Sequence, residues 1–296
     1  MSSSSKSTIH ILARMLGSHL RPRLVTLTVS LGQMPLKAFQ ALFNARWTKS
    51  KISWAIAYAY TIYVALSAVA PFKDMSIFSV TAASGLLVLL YFFHSYANLN
   101  LKTASKFFII AATISFIWEF IGVTTGIPFG QYSYTTSLSP SLLSVPLFIP
   151  LLWCALGYFC MEASDYYIMA SALMVSLDLS FDPVFSTSLH LWTWQSQGEY
   201  FGVPLSNFFG WFLASLTFFA IFFLATRRRT RSSNYAIVFY YLFGLDNVIG
   251  DLASGSPWLA LASFIIFTIA TLIIFLVNGD RWRKLLGINA PTKSVS

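Results

Sequence analysis

Eight stretches of about twenty predominantly apolar residues dominate the chain, near 52–71, 77–97, 105–126, 142–161, 164–182, 206–226, 235–253 and 257–277. A helix needs about 20 such residues to cross the hydrocarbon core of a bilayer. Inside lipid the backbone must pair its own polar groups, so runs of this length read as helices. The predicted fold is therefore all-α, a polytopic membrane helix bundle of about eight transmembrane helices. Composition agrees: 56% of the 296 residues are hydrophobic and only 10% are charged, against about one quarter in an ordinary soluble domain. That excludes a disordered chain, a soluble nucleic-acid binder and a small disulfide scaffold.

The net charge of +9 reports topology rather than a polyanionic partner. With the N-terminus inside, 18 of the 19 Lys and Arg residues fall in cytoplasmic segments and only Lys73 lies opposite, as the positive-inside rule requires. The N- and C-termini are thus placed in the cytoplasm, in a multi-pass protein of the cell membrane. Residues 1–51 read as a cationic N-terminal segment, partly interfacial, with Arg14, Arg21, Arg23 and Lys37. Residues 52–277 form the bundle and 278–296 a cytoplasmic tail; the first span serves as an uncleaved signal. Cys154 and Cys160 share one apolar segment without a CxxC or Cys/His cluster, so neither a disulfide nor a metal site is expected. The run RRRTR at 227–231 reads as a topology anchor.

Ten acidic residues exist in the whole chain, and those inside spans carry the information. A carboxyl at membrane depth is costly and by default marks function or a partner. Glu119 lies in the outer half of the third span, and Asp178 and Asp182 in that of the fifth. Asp178 and Asp182 are four residues apart and so share one helix face. Asp246 and Asp251 bring the seventh span to the same depth, so three helices are expected to converge there. No Lys or Arg is available at that level. A carboxyl withdrawn from water without a basic partner favours its uncharged form, the form that acid catalysis needs. Glue between helices is the competing explanation for each acid taken singly.

Two outer loops, 122–140 and 182–211, are rich in Gly, Pro and aromatic residues and hold no Lys or Arg. They are read as lids folded back over the bundle. HExxH, GxGxxG, P-loop and DDxxD-like motifs are absent, which disfavours metal, nicotinamide, flavin and nucleotide chemistry. His190 is the only histidine near the loops, and it reads as a loop hydrogen-bonder.

The blocks EFIGVTTGIPFGQYSYT, VPLFIPLLW, LDLSFDP, LWTW and GEYFGVPLSNFFGW, from Glu119 to Trp211, resemble the carotenoid 1′,2′-hydratase family, which includes bisanhydrobacterioruberin hydratase. The resemblance implies a cofactor-free hydro-lyase that adds water to the terminal C1′=C2′ double bond of an acyclic carotenoid, lycopene-type C40 or bisanhydrobacterioruberin-type C50. It implies membrane lipid, the carotenoid substrate and other enzymes of carotenoid biosynthesis as partners. Alkene hydration needs a proton donor, a cation-stabilising wall and a held water. Asp178 or Asp182 is the expected general acid, and Glu119 orients or deprotonates the water. Substrate-binding roles are expected for Phe129, Tyr132, Tyr134, Trp192, Trp194, Asn207 and Trp211, with the rings of Trp192, Trp194 and Tyr132 facing the cation and Asn207 holding the water. A membrane lycopene cyclase uses the same first step and remains an alternative, as does a lipid or isoprenoid transporter without chemistry.

Overall fold

The computed structural model describes residues 77–164, 166–228 and 233–277, with the single positions 59, 62 and 66. The cationic segment 1–51, nearly all of the expected span 52–71, Lys73, Asp165 and the tail 278–296 lie outside the described residues.

Seven helices run through the described residues, one for each expected span after the first. They are α1 (Ile77–Asn98), α2 (Leu101–Thr125), α3 (Phe148–Ala163), α4 (Tyr167–Pro183), α5 (Leu205–Thr226), α6 (Asn234–Ala253) and α7 (Pro257–Val277). Five helical segments, among them α2 and α4 with its extension to Ser188, are long and apolar enough to cross a membrane. Large apolar side chains such as Phe93, Ile109, Leu261, Leu272 and Leu276 stand exposed on α1, α2 and α7. Water would penalise that belt, whereas lipid does not.

Sequence punctuation sets the helix ends. Asn100 caps α2 by accepting from the Thr103 amide, and Gly126 closes it in a left-handed turn at φ 76°, a conformation glycine adopts without strain. The span expected at 142–161 begins later. Residues Ser141–Leu142 (β2) and Val145–Pro146 (β3) pair as a small hairpin, and α3 starts only at Phe148, with Pro150 in its first turn, where the missing N–H costs nothing. At 16 residues α3 reaches roughly 24 Å. Thirteen of its residues are buried, because it packs against α1, α2, α4 and α6 at once.

The outer loops are structured differently from simple connections. Gly122 still belongs to α2, and Asp182 to α4. Beyond Pro183 the chain makes a π-helical turn, Val184–Ser188. Tyr132–Tyr134 (β1) of the first loop then pairs antiparallel with Trp192–Trp194 (β4) of the second, in the register Tyr132 to Trp194, Ser133 to Thr193 and Tyr134 to Trp192. The two loops thus form one two-stranded lid.

Candidate active site

Alternation along a strand explains how the lid is aimed. Successive residues point to opposite faces, so Tyr132, Tyr134, Trp192 and Trp194 share the inner face. Ser133 and Thr193 share the outer one, where their hydroxyls lie 3.3 Å apart. The inner face closes over Glu119 from α2 and Asp182 from α4. A glycine pair seats the first strand: Phe129 lies between Gly122 and Gly210, where an added Cβ would come within 2.7 and 2.4 Å of its ring.

Glu119 is buried and surrounded by donors. Its Oε2 accepts from the hydroxyls of Tyr132 at 2.6 Å and Tyr134 at 2.7 Å. Its Oε1 accepts from the Trp153 indole at 2.9 Å. An indole N–H can only donate, so Oε1 acts as an acceptor here. Burial, and then the nearby Glu119 carboxyl, push both phenols well above their ordinary value, which keeps them neutral as donors.

The α4 pair is organised by one amide. Asn207 Nδ2 donates to Asp178 Oδ2 at 2.7 Å and to Asp182 Oδ2 at 2.8 Å. Asp182 Oδ1 accepts from the Trp192 indole at 2.9 Å. Asp178 Oδ1 is buried with no hydrogen-bond partner among the described residues. None of the residues around these carboxyls in the cavity wall is basic.

Between Glu119 and Asp182 lies a cavity of about 40 Å³. A water needs roughly 10–15 Å³ of such space, so the cavity accommodates one or a few waters. Its wall holds Glu119, Asp182, Phe129, Tyr132, Tyr134, Trp192, Trp194, Asn207 and Trp211, together with Ile149, Leu152, Trp153 and Phe181. Trp153 and Trp211 stack at 4.0 Å and 21°, which gives one side a continuous aromatic surface. The structure therefore joins nine of the ten expected site residues around one space. Asp178 stands behind it, reached through Asn207. The amide nitrogen of Asn207 is engaged by the two aspartates, and the residue lines the cavity.

The third expected contributor does not arrive. Asp251 accepts from Ser263 at 2.6 Å and Ser180 at 3.5 Å, and Asp246 is buried on α6; neither lines the cavity. Both acids lie on α6. His190 Nδ1 pairs with the Ser186 carbonyl at 3.2 Å. At the other end of the bundle Glu162 forms an ion pair with Arg228 at 2.8 Å, which gives one arginine of the 227–231 run a partner. Trp153 is not among the expected site residues, although it closes the block VPLFIPLLW and is an indole inside an apolar helix, whose N–H has to find an acceptor. Among the described residues no group of three His, Cys, Asp or Glu side chains is placed to hold a metal ion.

The arrangement can pass a proton from one carboxyl to a guest held against aromatic faces, and receive one at the other carboxyl through a phenol. One relative, a bisanhydrobacterioruberin hydratase from Haloarcula japonica, is 28% identical over 120 residues, covering 36% of this chain and 40% of the relative. The chain thus spans well under half the length of that relative. No solved structure matches the chain. A family profile described as carotenoid biosynthesis protein matches residues 75–277, which takes in all seven helices, the lid and the cavity. Two thirds of the sequence is thereby accounted for, and the chain belongs to the carotenoid biosynthesis protein family.

Proposed function

We propose that this protein hydrates the terminal C1′=C2′ double bond of an acyclic carotenoid. The observation that supports it best is the water-sized cavity between two carboxyls, walled by indole and phenol rings. The transferable proton is assigned to the pair Asp178 and Asp182, whose carboxyls share one amide donor. Asp182 faces the cavity and delivers that proton to C2′, the less substituted alkene carbon. The alkene π pair forms the new C–H bond and leaves a tertiary cation at C1′. The faces of Trp194, Trp211 and Trp153 stabilise such a cation by about 0.5–2 kcal/mol each. A cavity water attacks C1′, and its surplus proton leaves toward Glu119 through Tyr132 or Tyr134. Proton exchange with water resets both carboxyls, so no redox partner is required.

Expression in a lycopene-accumulating bacterium, with pigments analysed by liquid chromatography and mass detection, tests the reading. A more polar pigment heavier by one or two waters is the expected product. Asp182→Asn should lower its formation by about 10²–10⁴-fold while the protein still accumulates in the membrane. A product of unchanged mass would replace hydration by cyclisation. Unaltered lycopene and an unaltered C50 acceptor would leave binding or transport as the function.

A further inference from the structure

The cavity between the two carboxyls is water-sized and has no room for the chain attached to a reacting end group. A second, larger cavity of about 240 Å³ lies beside it. The two share Ile149, Leu152 and Trp192 in their walls, so they are neighbours across one partition. The inner part of the larger cavity is apolar, with Phe148, Phe185 and Leu191. Its outer rim carries Thr81 and Ser84 of α1 and Ser137 and Ser139 of the turn after β1. Among the described residues no charged side chain lines it.

Trp192 connects the spaces chemically. Its indole N–H is held by Asp182 Oδ1 at 2.9 Å, and its ring belongs to both walls. A chain lying in the larger cavity would therefore press on the residue that orients the carboxyl. We infer that this groove is the seat of the substrate's polyene arm, which reaches it from lipid between α1 and the turn after β1 and places its terminal alkene past Trp192. The occupant is an uncharged, elongated hydrocarbon. The lining offers no counter-charge for an ionic headgroup, and the apolar floor leads directly to the acid cavity. This inference rests on the hydration reading for the alkene end, but it makes its own demand on the rim residues.

The test uses thiol protection in the full-length protein. Cys154 and Cys160 are both buried, so a thiol reagent reads an introduced cysteine against a low background. Ser84→Cys and Ser139→Cys are placed at the rim, and Tyr96→Cys at an exposed position on the far part of α1 serves as control. Lycopene in detergent should slow labelling of both rim cysteines at least fivefold and leave the control within twofold. Equal labelling with and without lycopene at both rim positions, in protein whose parent hydrates lycopene, overturns the inference. Protection of all three cysteines alike also overturns it, because it signals general coating by the pigment. Ser84→Trp supplies a second readout: turnover of lycopene should fall at least tenfold, while that of a short acyclic alkene with the same trisubstituted end stays within twofold. Loss of neither, or equal loss of both, counts against the groove. If the parent hydrates nothing, the hydration reading fails, and rim protection then decides the groove independently.

Discussion

At the scale of single residues the site is a problem of donors and acceptors. Glu119 is served by two phenols and one indole, Asp182 by one indole and one amide. Burying a carboxyl without such partners is expensive, so each donor stabilises the folded state as well as the geometry. Trp153→Phe keeps an aromatic ring against Trp211 and removes the N–H together with part of the buried ring area. Hydrogen bonds to charged groups contribute about 1.5–3 kcal/mol. Thermal unfolding in detergent should show a loss of that size, with turnover reduced and not abolished; an unchanged melting temperature would mean that Glu119 does not depend on the indole. The acids themselves are legible in the sequence, since Glu119, Asp178, Asp182, Asp246 and Asp251 stand out at once within apolar runs. Their partners are not. Nothing in FIPLLW or SNFFGW tells which indole or amide will reach which oxygen, because those pairs are separated by 25 to 34 residues.

At the scale of elements the decisive unit is the lid on its glycine seat. The motifs YSY and WTW each alternate large rings with a small hydroxyl residue, and pairing them turns four rings inward together. Phe129 anchors the approach between α2 and α5 because Gly122 and Gly210 leave no Cβ there. Gly210→Ala would place a carbon 2.4 Å from the ring of Phe129, and such overpacking costs typically about 1–3 kcal/mol. We expect Gly210→Ala to lower the melting temperature and to weaken turnover through displacement of β1. Combining it with Phe129→Leu should restore part of the stability, since residues in contact do not act additively; strict additivity of the two losses would show that the seat is not the cause. The loops were recognisable as lids from their Gly, Pro and aromatic content. That they would pair strand to strand was hidden, because three-residue strands carry too little periodicity to be seen.

At the scale of the molecule, α3 gathers α1, α2, α4 and α6 around itself, and its two ends do different things. Its outer half presents Trp153 to the cavity, while its inner end ties Glu162 to Arg228 and to Asn98 on α1. Glu162 is buried and Arg228 only partly so. Removing one partner of such a pair leaves an uncompensated charge, with a loss of about 3 kcal/mol when burial is deep. Arg228→Leu should therefore reduce stability and membrane accumulation more than Arg228→Leu combined with Glu162→Gln; the opposite order would mean that the pair does not hold the inner end together. The sequence by itself determined that the chain is a bundle of membrane helices, where most of those helices run, and that acids without cations lie within them. Hydropathy and charge bias act along the chain, so a linear reading captures them. Only the tertiary structure decided that Asp246 and Asp251 stay outside the cavity, that Asp178 stands behind Asn207, and that a short α3 lies at the centre. Those outcomes depend on how helices rotate and on which distant side chain completes each hydrogen bond, and neither is a property of any local stretch of residues.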